Sequence, residues 1–203
     1  NEGQPNANYS IDPEGSVSII DISGGIPALT QANVTTLLFT AYNAQEATLI
    51  ASGVRKLKLT STMSQDFEPE YITISADSQK AWVTLQENNA IAEINLATNS
   101  FTDIWALGTK DVSTPGNGMD ISDNNNQVLI ANWPIQAFYM PDAVASYTVG
   151  GTNFIVTANE GDEKEYTGFV ERTTVGAASY LLDAVNFPNA SVLKQSYNMG
   201  RFR

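Results

Sequence analysis

Carboxylates recur at two fixed positions along the sequence, and carboxylates can bind hard cations or exchange protons. Glu70 and Asp142 each follow a proline and are 72 residues apart. Glu87 and Glu160 each follow a side-chain amide and are 73 residues apart. Glu2 repeats the second position, because the opening Asn-Glu-Gly returns around Glu160. If the fold brings these positions together, the like charges must be neutralised by a cation or by protons.

These acids predict a divalent cation site built only from oxygen ligands. The expected cation is Ca²⁺, with Mg²⁺ the less favoured alternative, held by carboxylate and Asn or Gln side-chain oxygens. The predicted ligands are Glu2, Glu70, Glu87, Asp142, Glu160 and Asp162. The alternative is that the acids accept hydrogen bonds from backbone amides and tie neighbouring repeat units together. The sequence leaves both alternatives open.

Three other stretches could carry chemistry. The segment "DISDNNNQ" (120–127) alternates oxygen-bearing side chains, but it lacks the glycine and the distant glutamate of an EF-hand, which favours a solvated turn. The segment "NEGDEKEY" (159–166) is predicted to be a solvated charged loop, although Lys164 or Arg172 could contact a phosphate. Trp133, in a predicted insertion, is the aromatic candidate for a glycan platform.

Composition excludes several classes of function. The chain has 22 acidic and 10 basic residues, for a net charge of −12, which disfavours nucleic-acid binding. It has no histidine and no cysteine, which removes histidine bases, thiol nucleophiles and metal sites built from those residues. No apolar run is long enough to span a membrane.

An internal repeat predicts the elements that must position the acids. The stretch "EPEYITISADSQKAWVTLQENN" (68–89) aligns with "MPDAVASYTVGGTNFIVTANEGD" (140–162). Each contains two short apolar runs joined by a polar turn, as in a β-hairpin. The first copy continues with two more strands to Leu107, and four strands at roughly ten-residue spacing are typical of a propeller blade.

The predicted fold is therefore all-β: a β-propeller of about three four-stranded blades, forming an incomplete arc of a larger propeller, with short helical insertions. The blades lie near 1–42, 66–108 and 138–175, and the insertions at 43–65, 109–137 and 176–203. The whole chain is expected to be part of one propeller domain, with residue 1 inside a repeat unit. The remainder of that propeller, in the same or a second chain, is then the predicted partner.

One helix is predicted at 43–53. Asn43 and Glu46 are spaced as a capping box, and Gly53 is placed to end the helix. Leu49 and Ile50 are expected to form its buried stripe.

Several motifs occur in an order that resembles a known family. They are "NEG…DPEGSVSIID", "QDFEPEYITIS", "VTLQENNAIAEI", "NWP…YMPDAVASY" and "VTANEGDEKEYTGF". Together they resemble the choice-of-anchor I family of secreted bacterial proteins, and the 69–108 stretch resembles a YVTN-type propeller blade. The family's members are often labelled alkaline phosphatase-like or esterase-like, and their architecture is related to that of propeller phytases.

The resemblance implies an extracellular, cell-surface or periplasmic protein. The predicted function is a binding and scaffold domain in which carboxylates at the channel mouth hold Ca²⁺. The alternative is a metal-dependent phosphoester hydrolase in which the same acids are ligands. A phosphoester or a glycan is the ligand class expected, with no nucleic acid and no membrane span.

Overall fold

The computed structural model describes residues 1–203 and divides the chain into two compact units. The first comprises Asn1–Gly108 and Phe138–Val170, and the second comprises Thr109–Ala137 and Glu171–Arg203. Twelve short strands form five small antiparallel sheets. The predicted insertions 109–137 and 176–203 fall within the second unit, whereas 43–65 belongs to the first.

The largest sheet has four strands in sequence order. They are β3 (Pro69–Ile74), β4 (Lys80–Leu85), β5 (Ala90–Asn95) and β6 (Ser100–Ala106). The tight turns between them place Ser78, Asn89 and Asn99 at φ of 58°, 51° and 48°, a region in which asparagine is tolerated better than most residues. The four-stranded antiparallel unit predicted from the repeat is therefore confirmed.

The two central strands of this sheet are covered on both faces. Five of the six residues of β4 and five of the six residues of β5 are buried. Within the sheet, the buried Glu93 carboxylate accepts hydrogen bonds from Lys80 Nζ (2.9 Å), Trp82 Nε1 (3.0 Å) and Thr102 Oγ1 (3.0 Å). Trp82 is buried in its strand, whereas Trp105 is 43% exposed.

The second copy of the repeat forms one long hairpin. Strand β9 (Pro141–Val149) pairs with β10 (Thr152–Asn159), and Gly150 and Gly151 take positive φ at the turn. No further strand pairs with β10.

Shorter elements complete the first unit. The strand pairs are β1 (Ser16–Ile20) with β2 (Val34–Leu38), and β11 (Glu165–Tyr166) with β12 (Phe169–Val170). The α-helices are α1 (Glu46–Ser52) and α2 (Met63–Asp66), and the 3-10 helices are Ile26–Ala28, Gln31–Asn33 and Phe39–Gln45. The core of this unit is built from Phe39, Met63, Phe67, Val83, Leu85 and Ile94, with Phe39 packed against Phe67 and Phe101.

The predicted helix forms, but its predicted capping box is wrong. Asn43 lies within the preceding 3-10 helix, and its side chain exchanges hydrogen bonds with Ser64 instead of capping α1. Gly53 ends the helix in the left-handed region as predicted. Leu49 is buried, but Ile50 is 44% exposed, because only one face of this two-turn helix meets the core.

The second unit has its own apolar core. Its regular elements are β7 (Thr109–Asp111), α3 (Ala190–Leu193) and β8 (Gln136–Phe138), whose last residue is assigned to the first unit. Val112, Trp133, Val175, Leu193 and Met199 are the buried core residues.

The all-β class is confirmed, because strands dominate and the helices are short. Each sheet is open, with two or four strands, and none closes on itself. The propeller and the single domain over 1–203 therefore stay predictions.

Candidate functional site

Strands β3 and β9, which carry Glu70 and Asp142, lie side by side in the first unit. Thr73 Oγ1 donates to Ser146 Oγ at 3.0 Å, and Ser146 Oγ donates to the Ile74 carbonyl at 2.8 Å. Glu70 and Asp142 each stand one residue inside the start of their strands. The residues that match in the sequence repeat thus come from neighbouring strands in space.

Both hairpins also have a register irregularity near the acid-bearing end. In the first, the pairing shifts between Pro69 and Ile72, and in the second between Thr157 and Asn159, next to Pro141. Bulges of this kind redirect a side chain out of the regular alternation. A register irregularity therefore lies beside each of the two repeat acids, Glu70 and Asp142.

Asn89 fixes the start of β9 from the turn between β4 and β5. Its Oδ1 accepts hydrogen bonds from the backbone amides of Tyr139 and Met140, both at 2.9 Å, and its Nδ2 donates to the Gly108 carbonyl at 2.7 Å. Asn89 is fully buried. This side chain therefore holds the strand that delivers Asp142.

Glu70 is the centre of an acidic cluster in the first unit. Burial and the surrounding carboxylates raise the pKa of Glu70 from 4.5 to about 8. The carboxylates that act on Glu70 are Glu87, Glu2, Asp142 and Asp162. We use the name acidic cluster for Glu2, Glu70, Glu87, Asp142 and Asp162.

Glu87 is the buried member of the acidic cluster. It is 7% exposed, and its Oε2 is buried without a hydrogen-bond partner. Burial raises its pKa, a hydrogen bond from its own backbone amide and the Lys164 ammonium oppose that shift, and the charges of Asp162 and Glu2 add to it. A carboxylate oxygen buried without a donor is costly, so this oxygen marks a place where a ligand would be stabilising.

Glu160, the sixth predicted ligand, is placed differently. It is exposed, and its Oε2 accepts a hydrogen bond from Gln86 Nε2 at 3.3 Å. This contact is the kind expected if repeat acids tie neighbouring units together. Glu87 accepts a hydrogen bond from its own backbone amide, whereas none from a backbone amide is recorded for Glu2, Glu70 or Asp142.

The N-terminal segment closes one side of the acidic cluster. Asn1 exchanges backbone hydrogen bonds with Ser16 in β1 (2.9 and 3.0 Å). An open pocket of about 380 Å³ lies here, and it is lined by Asn1, Glu2, Pro69, Glu70 and Tyr71. Glu2 and Glu70 therefore face a space large enough for a hydrated ion or a small ligand.

Comparison with known families identifies the chain. A family model, described as the choice-of-anchor I domain, matches residues 1–203, the whole chain. The chain belongs to the choice-of-anchor I family. Searches of curated proteins and of solved structures gave no match. The role of each residue is therefore inferred from the structure of this choice-of-anchor I domain.

The structure of this choice-of-anchor I domain adds Glu68, which was missed as a site member, and pairs it with Lys164. Lys164 Nζ donates to Glu68 Oε1 at 2.7 Å and to the Asp66 carbonyl at 3.2 Å. The side chains of Lys164 and Glu68 are 0% and 1% exposed. Lys164 was predicted to lie in a solvated loop, which is wrong for its ammonium, because this ion pair buries it. A contact between Lys164 and a phosphate stays a prediction.

The Lys164–Glu68 ion pair and the acidic cluster shift each other's pKa values. The pKa of Glu68 is raised from 4.5 to about 7 by burial and by the Glu87 and Glu2 charges, against the opposing effect of Lys164. Burial alone would lower the pKa of Lys164, but the charges of Glu68, Asp66 and Glu87 raise it. The ammonium of Lys164 thus interacts with the buried member of the cluster.

The repeat could not reveal this pair. The residue 72 positions after Glu68 is Met140, so comparison of the two copies gave no reason to select Glu68. The adjacency of Glu68 and Glu70 was the only available signal. Lys164 lies 96 residues from Glu68, and no local pattern predicts so distant a contact.

No three acidic side chains already surround one point in a metal-ligating arrangement. A cation would therefore have to draw the more exposed members, Glu2 and Asp162, towards Glu70 and Glu87. The arrangement can bind positive charge, and with raised pKa values it can also hold protons near neutral pH.

The other sequence candidates serve structural roles in the second unit. Asp123 is paired with Arg201, Ser122 Oγ donates to the Ser196 carbonyl, and Asp120 accepts from the Leu129 amide. Trp133 is 9% exposed, and its Nε1 donates to the Met119 carbonyl. It is therefore a core residue and not a glycan platform.

Proposed function

We propose that this choice-of-anchor I domain is a surface or secreted binding and scaffold domain whose acidic cluster binds Ca²⁺. The observation that carries the proposal is Glu87: a 7% exposed carboxylate with an unpartnered buried oxygen, among four other carboxylates. A cation supplies the positive partner that this oxygen lacks.

Calcium fits this cluster better than magnesium. Ca²⁺ accepts six to eight oxygen ligands in flexible geometry, whereas Mg²⁺ requires a near-ideal octahedron and keeps its waters. Glu87 is fixed by burial, while Glu2 and Asp162 are exposed and can move to complete an irregular set. The proposed ligands are Glu87 and Glu70, completed by Glu2, Asp142, Asp162 and water.

We further propose that the strands belong to a propeller. The four-stranded sheet β3–β6 has the strand order of a blade, and β9 lies beside β3 as the innermost strand of a neighbouring blade would. Equivalent bulges at the start of both hairpins agree with one repeated unit. In a propeller these strand ends face the central channel, which would place the acidic cluster at its mouth.

Family membership supports a surface or secreted location. None of the helices has the length and apolarity required to cross a membrane. The net charge of −12 adds a field that attracts cations to the surface.

The calcium proposal predicts a thermal shift. After dialysis against EDTA, saturating CaCl₂ is expected to raise the Tm by roughly 5–10 °C, the shift produced when ligand is present at about 100 times its Kd. Glu87→Gln should remove most of this shift, because it removes the buried charge. The matched control is Glu160→Gln, the repeat-equivalent glutamate outside the acidic cluster, which should keep the shift.

Two outcomes would refute the proposal. One is an unchanged Tm on adding CaCl₂, with NaCl of equal ionic strength as the reference. The other is an equal calcium shift in the wild-type protein and in Glu87→Gln, which would place any bound ion elsewhere.

The phosphoester hydrolase alternative stays a prediction that the geometry does not favour. A phosphate-binding cation is expected in such a site, but Lys164 is buried against Glu68. Turnover of p-nitrophenyl phosphate at alkaline pH, lost on chelation and lost in Glu70→Gln, would reverse this preference.

A further inference from the structure

Lys164 is a buried cation beside a cluster of acids, and the proposed calcium site does not use it. Its side chain is 0% exposed and carries two hydrogen bonds, to Glu68 and to the Asp66 carbonyl. Its position is therefore fixed, unlike that of a surface lysine, whose ammonium stays in water.

The charge balance around Lys164 is strongly negative. Glu68, Asp66 and Glu87 are the carboxylates that act most strongly on Lys164, and the charges of Asp162 and Glu2 act on Glu87 in turn. Lys164 is the basic side chain that acts most strongly on the Glu87 carboxylate, while Arg55 Nη1 donates to the Glu87 backbone carbonyl at 2.7 Å. Because Glu87 and Lys164 are both buried, the attraction between them is screened much less than it would be in solvent.

We propose that Lys164 is a tethered counterion of the acidic cluster, held in place by Glu68, and that this pair sets how strongly the cluster binds a divalent cation. The inference rests on the proposed cation site and deepens it. The ammonium supplies part of the positive charge that the cluster needs. The divalent ion then supplies the rest, and its affinity is limited by the charge already present.

A purely structural role for the pair makes a different prediction. A buried ion pair that only anchors the 160–166 loop would change the stability of the protein when broken. It would not change the increment in stability that Ca²⁺ adds, because that increment depends on the charge left in the cluster. We call the rise in stability that Ca²⁺ adds the calcium increment. Its dependence on Lys164 distinguishes a counterion from a structural anchor.

Three variants test the proposal by changing the charge stepwise. Lys164→Met removes the ammonium, Glu68→Gln removes one negative charge but keeps Lys164, and the double variant Glu68→Gln/Lys164→Met removes both charges of the pair. The quantity measured is the difference in Tm between CaCl₂ and EDTA, together with the Kd from calcium titration.

The expected order of the calcium increment follows the net charge. The calcium increment of Lys164→Met should be larger than that of the wild-type protein. Its Kd for Ca²⁺ should be about tenfold lower, as expected when one positive charge near the ion is removed. The double variant should match the wild-type protein, because the net charge is unchanged. Glu68→Gln should fall below the wild-type protein.

Equal calcium increments in all four proteins would overturn the proposal, even if their Tm values in EDTA differ. If Lys164→Met folds only when CaCl₂ is present, the proposal is supported, because the divalent ion then replaces the missing ammonium. If Lys164→Met does not fold in either condition, Glu68→Gln decides: a smaller increment than that of the wild-type protein supports the proposal, and an equal increment overturns it.

The same data separate this inference from the proposed function. An absent calcium increment in the wild-type protein refutes the proposed function. If the wild-type protein shows no calcium-induced rise in Tm but Lys164→Met does, Lys164 still acts as the counterion. If neither protein shows a rise, the inference is overturned together with the proposed function.

Discussion

Glu87 and Glu160 occupy equivalent positions in the two copies of the repeat, yet their surroundings are opposite. Glu87 follows β4 in the four-stranded sheet and is buried, while Glu160 follows β10, whose outer edge is unpaired, and is exposed. The third and fourth strands, β5 and β6, are present only in the first copy. The chemistry of a repeated glutamate is thus decided by the strands packed around it.

At the residue scale, the raised pKa of Glu70 predicts how stability depends on pH in the absence of metal. The pKa is about 8 in the folded chain and 4.5 ordinarily, so between these values the folded state binds more protons than the unfolded state. The free energy of unfolding must then fall as pH rises through this window. Glu68, with its pKa raised to about 7, acts in the same direction.

The measurement is the Tm in EDTA from about pH 5 to about pH 8, where the Tm is expected to decline. Glu70→Gln should show a shallower decline and a higher Tm at the alkaline end, because glutamine does not ionise. Asp77→Asn is the control: Asp77 is exposed, and hydrogen bonds from Ser75 and the Gln79 amide lower its pKa, so it acts only at acidic pH. A decline as steep in Glu70→Gln as in the wild-type protein would contradict this account.

At the element scale, close backbone approach fixes the N-terminal segment beside the start of β3. A Cβ placed on Gly15 would overlap the Phe67 carbonyl oxygen and lie 2.6 Å from Pro69 Cδ. The Gly15 amide also donates to the Ser64 carbonyl at 3.1 Å. This glycine therefore permits the contact that brings Glu2 to the pocket beside Glu70.

Gly15→Ala is expected to lower the free energy of unfolding by about 2–3 kcal/mol, because a rigid proline and a backbone carbonyl cannot easily move away. The calcium-induced shift in Tm should also decrease, since Glu2 is displaced. Gly24→Ala is the matched control, because its Cβ would meet only Ala28 Cβ at 3.7 Å. Urea unfolding gives the free energy of unfolding of both variants. An equal loss in Gly15→Ala and Gly24→Ala would show that the backbone approach at Gly15 is not tight.

At the scale of the whole molecule, an apolar strand surface is balanced against a large net charge. The hairpin β9–β10 exposes Tyr147, Val149, Phe154 and Val156 to between 44% and 60%, and Tyr147 stacks on Phe154 at 5.3 Å. The outer edge of β10 is unpaired. Such an edge favours pairing between chains, and the charge of −12 opposes it at low salt.

Association of the chain is therefore expected to increase with protein and salt concentration. Val156→Lys should reduce it, because a charge on an edge strand blocks pairing, while the free energy of unfolding changes by no more than about 0.5 kcal/mol. Val128→Lys, at an 82% exposed valine outside any strand, should leave association unchanged. Light scattering across a salt series distinguishes the two variants.

The sequence by itself determined the β class, the four strands of β3–β6, the hairpin β9–β10 and the glycine that ends α1. These features depend on alternation, turn residues and spacing within about ten residues of each other, so they can be recognised locally. It also selected Glu2, Glu70, Glu87, Asp142, Glu160 and Asp162 as ligands, and the repeat placed Glu70 and Asp142 on strands that are neighbours in the structure. The cation site that these acids would form stays a prediction.

Only the tertiary structure decided which acids are buried and what faces them. The Asn43 side chain bonds Ser64 instead of capping α1, Glu160 is exposed and bonded to Gln86, and Lys164 pairs with Glu68. Each of these outcomes depends on desolvation and on contacts between distant segments, 21 residues apart for Asn43 and 96 for Lys164. Burial and the local electric field belong to the packed chain, so no pattern along the sequence can specify them.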